Sequence, residues 1–175
     1  MHAALIPSEA VDDFIVIHAR AFARKVQRAM VRDVLVDEKL PVLEWQLLFS
    51  VARFGSCHLA HITRRTSIYP AHGSRAIASL EKKGMIERRE DPKNKRRKLI
   101  SLTSRGVETF ERIWPRARQI VKSVTDQLDP QDFGDLKRLM ALSNTAAAPL
   151  VEGQDASEHQ QNKETEETSL TARVG

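Results

Sequence analysis

Residues 55–106 read GSCHLAHITRRTSIYPAHGSRAIASLEKKGMIERREDPKNKRRKLISLTSRG, and this stretch decides the fold. It holds 13 Lys and Arg against 4 Asp and Glu. Residues 1–54 hold 7 basic and 7 acidic side chains, and residues 107–146 hold 6 and 6. The final stretch, 147–175, holds 2 basic and 6 acidic. A net charge of +5 thus hides one strongly cationic module between two neutral arms. Positive charge gathered on one module is the electrostatic footprint of a nucleic-acid binder, because neutralising phosphates dominates such affinity.

The apolar spacing within the module predicts two short helices. The first covers about 57–65, anchored by Leu59 and Ile62, and the second about 70–83, with Ala76, Ile77 and Leu80 inward. Pro70 suits a first helical turn and Gly84 a helical stop. The connection Thr66-Ser67-Ile68-Tyr69 is short, with Ile68 placed to pack beneath it, which gives a helix-turn-helix. After Gly84 the texture becomes extended. Met85–Glu90 and Lys98–Leu102 read as strands, and Asp91-Pro92-Lys93-Asn94 carries turn chemistry. The resulting hairpin displays Lys93, Lys95, Arg96, Arg97 and Lys98 at its tip and return arm. A hairpin in this position is a wing.

Working outward, Ser8 is a candidate cap for a long helix over about 8–37, and Leu40-Pro41 interrupts it. A helix over 42–54 turns Leu43, Leu47, Leu48 and Val51 inward and ends at Gly55. Beyond the wing, Thr103 or Ser104 caps a helix over 104–128 with a seam from Val107 to Leu128 and a kink expected at Pro115. Asp129-Pro130 opens a last helix over about 130–143. From Ala147 the polar, acidic composition predicts a disordered tail, 147–175. The expected fold is mainly α with a small β-hairpin wing, a winged helix-turn-helix over 40–103 flanked by dimerisation helices at 8–39 and 104–146. Together these make one domain, 1–146.

The bulk properties narrow the function. One cysteine excludes an intramolecular disulfide. The opening MHAALIPSEA lacks the pattern of a secretory leader, and no apolar run is long enough to span a bilayer, so the cytoplasm is expected and no membrane partner. There is no Gly-rich phosphate loop, nucleophile motif or carboxylate pair at a strand end, so an enzyme is not expected, nor a cofactor or bound metal.

The run from Leu40 to Gly106 resembles the MarR (multiple antibiotic resistance regulator) family of bacterial winged-helix transcription factors. The residues that carry this are Glu44-Trp45-Gln46-Leu47-Leu48, then Leu80-Glu81-Lys82-Lys83-Gly84-Met85-Ile86-Glu87-Arg88-Arg89, then the wing from Asp91 to Gly106. The chain departs from the family pattern at Asn94, where an Asp is usual, and keeps the wing arginine as Arg96. Pro41 stands where the second helix usually opens with Thr or Ser. Tyr69-Pro70-Ala71-His72 replaces a start resembling Asp-Arg-Ser-Thr.

The resemblance implies a dimeric, sequence-specific DNA-binding regulator, a repressor relieved by a small aromatic or anionic effector. It implies duplex DNA with a palindromic operator as partner. Ala71, His72, Ser74 and Arg75 occupy the first turns of the helix that would enter the major groove. Arg64 closes the preceding helix, where a cation suits both the helix dipole and a phosphate. Lys95, Arg96 and Arg97 fit phosphate or minor-groove contact from the wing. Between the arms and the DNA module, His18, Trp45 and Trp114 are candidates to line an effector site, although tryptophans and a histidine on apolar faces more often fill the core. Two other readings stand beside this one. One is a winged-helix module that meets an acidic protein. The other is a metal- or oxidant-sensing variant using Cys57, His58 and His61, whose spacing suits zinc and whose cysteine lies near a helix start.

Overall fold

The computed structural model describes residues 15–66 and 68–171, and over 151–171 the backbone. The expected cap Ser8 and the start of the helix expected over about 8–37 lie outside these residues. The chain divides at Val124/Thr125 into two compact units. The first unit opens with helix α1, Ile15–Met30, which runs into a π-helical segment, Val31–Leu35. Helices α2 (Val42–Phe54), α3 (Leu59–Thr66) and α4 (Pro70–Lys82) follow, then strands β1 (Ile86–Asp91) and β2 (Asn94–Leu102), then helix α5 (Ser104–Thr125).

Local chemistry sets most of these boundaries. Gly55, at φ 71°, ends α2, and its N–H donates to the Val51 carbonyl at 2.9 Å. Pro70 sits in the first turn of α4, where its missing N–H leaves no bond unmade. Gly84, at φ 69°, ends α4, and the Met85 N–H reaches back to the Leu80 carbonyl at 3.0 Å. The Thr103 hydroxyl accepts the Gly106 N–H at 3.1 Å and donates to the Gly84 carbonyl at 2.7 Å, so one side chain caps α5 and ties it to the end of α4. Pro115 lies within α5, which continues through it. The π-segment was not legible in the apolar spacing. There the Val36 N–H bonds the Val31 carbonyl and the Leu40 N–H bonds the Leu35 carbonyl, each five residues back.

The core of this unit lies among α2, α3, α4 and the hairpin. Leu47, Leu48, Ile62, Ile77, Leu80, Ile86 and Ile100 are fully buried in it, joined by Val34 and Leu35 of the π-segment and Ile113 of α5. Ile68 packs against this cluster beneath the turn, as its position predicts.

The two strands pair antiparallel, from Ile86 opposite Leu102 to Glu90 opposite Lys98. The next pair is Asp91 opposite Asn94. Three β2 residues, Lys95, Arg96 and Arg97, therefore fall between partners of consecutive β1 residues and bulge out of the ladder. Cys57 adds a third, single-residue rung. Its N–H donates to the Ile100 carbonyl at 3.1 Å, and the Ile100 N–H returns a bond at 2.8 Å.

The second unit is the helix α6, Pro130–Thr171, capped by the Asp129 carboxylate, which accepts the Asp132 N–H at 2.8 Å. Sequence reading ends this helix near 143 and expects disorder from 147. The helix instead continues to Thr171. The Glu, Gln and Ala in this stretch are good helix formers as well as polar or small residues that build no core. No side chain is buried from 130 to 150, so this helix forms without a core of its own.

Candidate nucleic-acid interface

Two apolar contacts and one glycine position the recognition element. A Cβ at Gly73 would stand 3.1 Å from Leu59 Cδ1 and 3.2 Å from Thr63 Cγ2. The glycine thus lets α4 pack closely on α3, and its role was not visible in the spacing of the larger apolar residues. At the other end of α4, the buried Glu44 carboxylate of α2 accepts the Ser79 hydroxyl at 2.8 Å and faces Lys83 Nζ at 2.6 Å. Ser79 is thereby drawn towards α2, because a buried carboxylate needs donors.

The exposed side of α4 then carries Ala71, His72, Ser74 and Arg75 on its first two turns. Tyr69 precedes them, 68% exposed, its ring edge-on to His72 at 6.0 Å. Arg64 is exposed at the end of α3. Beside it, Arg65 lies over the Phe54 ring at 5.2 Å, and Arg53 lies at the same distance from that ring.

The wing separates its cations into two groups. At its base they are neutralised: Arg88 pairs with Glu81, Arg89 with Glu87 at 2.9 Å, and Lys98 with Glu90 at 3.1 Å. In the bulge, Lys95, Arg96 and Arg97 are exposed and have no acidic partner among the described residues. The departure at Asn94 bears on this directly. Its side-chain oxygen accepts the Arg96 backbone N–H at 3.1 Å, holding the turn while leaving the guanidinium uncommitted. Asp91 does the same on the other side of the tip, accepting the Lys93 N–H at 2.8 Å. Three free cations on a bulge and an exposed polar helix face together make a surface suited to a polyanion.

The remaining candidates scatter. Trp45 is buried, its ring stacked 5.8 Å from Phe110, which stacks in turn 5.8 Å from the half-exposed Trp114. Phe49 closes this aromatic column. His18 is exposed on α1. Cys57, His58 and His61 diverge. The Cys57 thiol is buried, and burial pushes its pKa up, away from the thiolate a redox sensor or metal ligand needs. His58 turns to the wing, and His61 packs edge-on against Phe54 at 5.2 Å. Among the described residues, no group of three or more His, Cys, Asp or Glu is arranged to hold a metal ion. No helix among them is long and apolar enough to cross a membrane.

Comparison with known proteins agrees with this geometry. Residues 39–97 match the family model described as MarR family. The uncharacterized HTH-type transcriptional regulator YhbI of Bacillus subtilis (strain 168) is 26% identical over 121 residues, covering 69% of this chain and 78% of that protein. The structure of Bordetella bronchiseptica BpsR, whose DNA binding is regulated by 6-hydroxynicotinic acid, is 25% identical with a TM-score of 0.63. It covers 75% of this chain and 98% of that one. A MarR family transcriptional regulator from Streptomyces coelicolor, solved in complex with DNA, shares the fold at 23% identity and a TM-score of 0.68. That match covers 81% of this chain and 89% of the other.

Proposed function

The winged-helix module of this chain, residues 39–97, is of the MarR family, and from that premise we propose that the protein is a dimeric, sequence-specific DNA-binding regulator of transcription, a repressor acting in the cytoplasm. The observation that carries this reading is the split of the wing's charges. Cations at its base are paired, while Lys95, Arg96 and Arg97 are displayed unpaired by a bulge. A cationic side chain with no internal partner contributes to affinity by releasing counterions from a phosphate backbone.

In this reading α4 enters the major groove. Arg75 makes the bidentate contact to a base edge, with His72 and Ser74 beside it and Ala71 in apolar contact. Arg64 and the wing cations hold the backbone and set the register. The arms supply the second copy. Val107, Trp114, Val121 and Val124 of α5 are exposed apolar side chains, as are Ile15, Val16, Ile17 and Phe22 of α1. Burying such faces against a second chain stabilises a two-fold dimer, and two recognition helices would then meet half-sites about 10 bp apart. The likeness to BpsR supports an effector, small and aromatic or anionic, and the half-exposed Trp114, stacked through Phe110 on Trp45, is the aromatic surface best placed to meet it.

The test is binding to a duplex from upstream of the chain's own coding sequence, against a scrambled duplex, at low and moderate salt. Selective binding that weakens steeply with salt is expected. Equal, weak binding to both duplexes would favour a module that meets an acidic protein.

A further inference from the structure

His58 sits at the start of the helix-turn-helix and touches both strands of the wing. Its Nδ1 lies 3.1 Å from the Lys98 carbonyl oxygen on β2, and its Nε2 lies 3.0 Å from Asp91 Oδ2 on β1. Both partners are acceptors. A carbonyl oxygen cannot donate, and an ionised carboxylate cannot either. A neutral imidazole has one N–H and satisfies one of them, whereas the imidazolium has two and satisfies both. Asp91 extends the contact to the tip, since its other oxygen accepts the Lys93 N–H at 2.8 Å. One ring therefore links the helix-turn-helix to the strand that leads into the bulge and to the strand that leads out of it.

We propose that His58 is a positioning residue for the wing, and that its second ring proton fixes the bulge cations where they meet DNA. This rests on the DNA-binding reading above. The ring shares a groove with Ser74 and Ile77 of α4, which do not titrate, with Arg88 of β1 and with Arg97 and Lys98 of β2. Arg88 and Lys98 are tied to Glu81 and Glu90. Of the charged groups around the ring, Asp91 and Arg97 are thus the ones not paired elsewhere, and they bear on it with opposite signs. Loss of the second proton leaves Asp91 facing a ring nitrogen lone pair, and β1 is released from the helix-turn-helix. DNA binding then weakens when the ring gives up that proton.

The experiment measures wild type and His58→Gln against a fluorescent mixed-sequence duplex at constant salt, from about pH 5.5 to about pH 8. The wild type should lose about five- to ten-fold more affinity across this range than His58→Gln, the worth of one hydrogen bond of ordinary strength. A His72→Gln variant should keep that excess. Parallel profiles for wild type and His58→Gln, or an excess removed by His72→Gln instead, would overturn the proposal. Should His58→Gln fail to fold, NMR of the wild type decides. The His58 ring and the Lys93 amide, which share Asp91, should shift together with pH, and a ring that titrates without moving that amide overturns the proposal. Absence of any low-salt duplex binding by the wild type would instead sink the DNA-binding reading itself.

Discussion

Lys83 Nζ stands 2.6 Å from the Glu44 carboxylate, which is buried on α2 and also accepts the Ser79 hydroxyl of α4. The same Nζ donates to the Lys39 carbonyl at 3.4 Å, at a residue with φ of +49° in the link from the π-segment to α2. One ammonium group thus joins the end of the recognition helix to the helix beneath it and to the exit from the N-terminal arm. Breaking such a pair from one side leaves a charge with little water to solvate it.

Replacing Lys83 by Met should therefore destabilise the fold by about 1–3 kcal/mol, less than for a fully enclosed pair because the lysine is one-third exposed. The double variant Glu44→Leu, Lys83→Met should recover most of the loss, since the stranded charge is then gone. Urea unfolding of the three proteins measures this. Additive losses would show that the two residues act separately.

Gly106 is the tightest glycine among the described residues. A Cβ there would meet the Met85 carbonyl oxygen at 1.9 Å, a contact relieved only by moving backbone. Gly106→Ala should cost about 3 kcal/mol or more, at the upper end of overpacking substitutions. Thermal unfolding tests it, with Gly134→Ala as control, because a Cβ at Gly134 meets nothing within 4 Å. Equal melting of the two variants would contradict the packing argument.

Much of this was legible in the sequence, for reasons that differ by element. Pro70, Gly84 and the spacing of Ala76, Ile77 and Leu80 are local signals, and they place α4 to within a residue of its observed end. The cap at Thr103 is equally local. The Glu44–Ser79–Lys83 network joins residues 35 and 39 positions apart, and no local pattern announces it. The bulge at Lys95–Arg97 was also hidden. The charge run was plain, but which of its members lack a cross-strand partner depends on register, which the bulge itself sets. The division at Val124/Thr125 falls inside what the sequence presents as one domain. Helical periodicity continues beyond that point, yet the apolar side chains of α6 through residue 150 are not buried.

The arms carry an acid-sensitive clamp. Arg112 of α5 bonds both carboxylate oxygens of Glu38, at 3.1 and 2.9 Å, and holds that carboxyl below the usual glutamate range. Arg116, one turn on, reaches Asp37 at 2.8 Å and the Asp33 carbonyl. A carboxyl depressed in the folded state stabilises it above the unfolded pKa, and that stability is lost as pH falls through the folded value. The stability gap between wild type and Glu38→Gln should thus be open at neutral pH and close below about pH 4. Urea midpoints across the acid range read this directly, and a gap that is constant with pH would remove the clamp from the account.

Recognition and wing should fail differently. Arg96 is unpaired in the bulge, and its role as a backbone contact predicts that Arg96→Ala weakens binding to every duplex alike and lowers the salt slope by about 1. Arg75 on the exposed face of α4 is assigned a base edge, so Arg75→Ala should cost about 1–3 kcal/mol on the preferred duplex and much less on a scrambled one. Titrations at several salt concentrations separate the two. Equal losses for Arg75→Ala on both duplexes would move that arginine to the backbone.

The seam on α5 supplies the last test. Val107, Trp114, Val121 and Val124 recur at spacings of 7, 7 and 3 residues along one helix, and each remains 38–46% exposed within a single chain. Spacing of this kind places them along one side of the helix, beside the buried Ile113 and Ala117. If a second copy covers this seam, a charge in its middle is left facing apolar surface in the dimer but is solvated in the monomer. Val121→Glu should therefore dissociate the dimer while leaving the helical content and the winged-helix module intact. Sedimentation at micromolar protein should show a monomer, and binding to a two-half-site duplex should fall towards that of one half-site, because the advantage of linking two binding modules is lost. A variant that sediments as wild type would place the partner chain on another face.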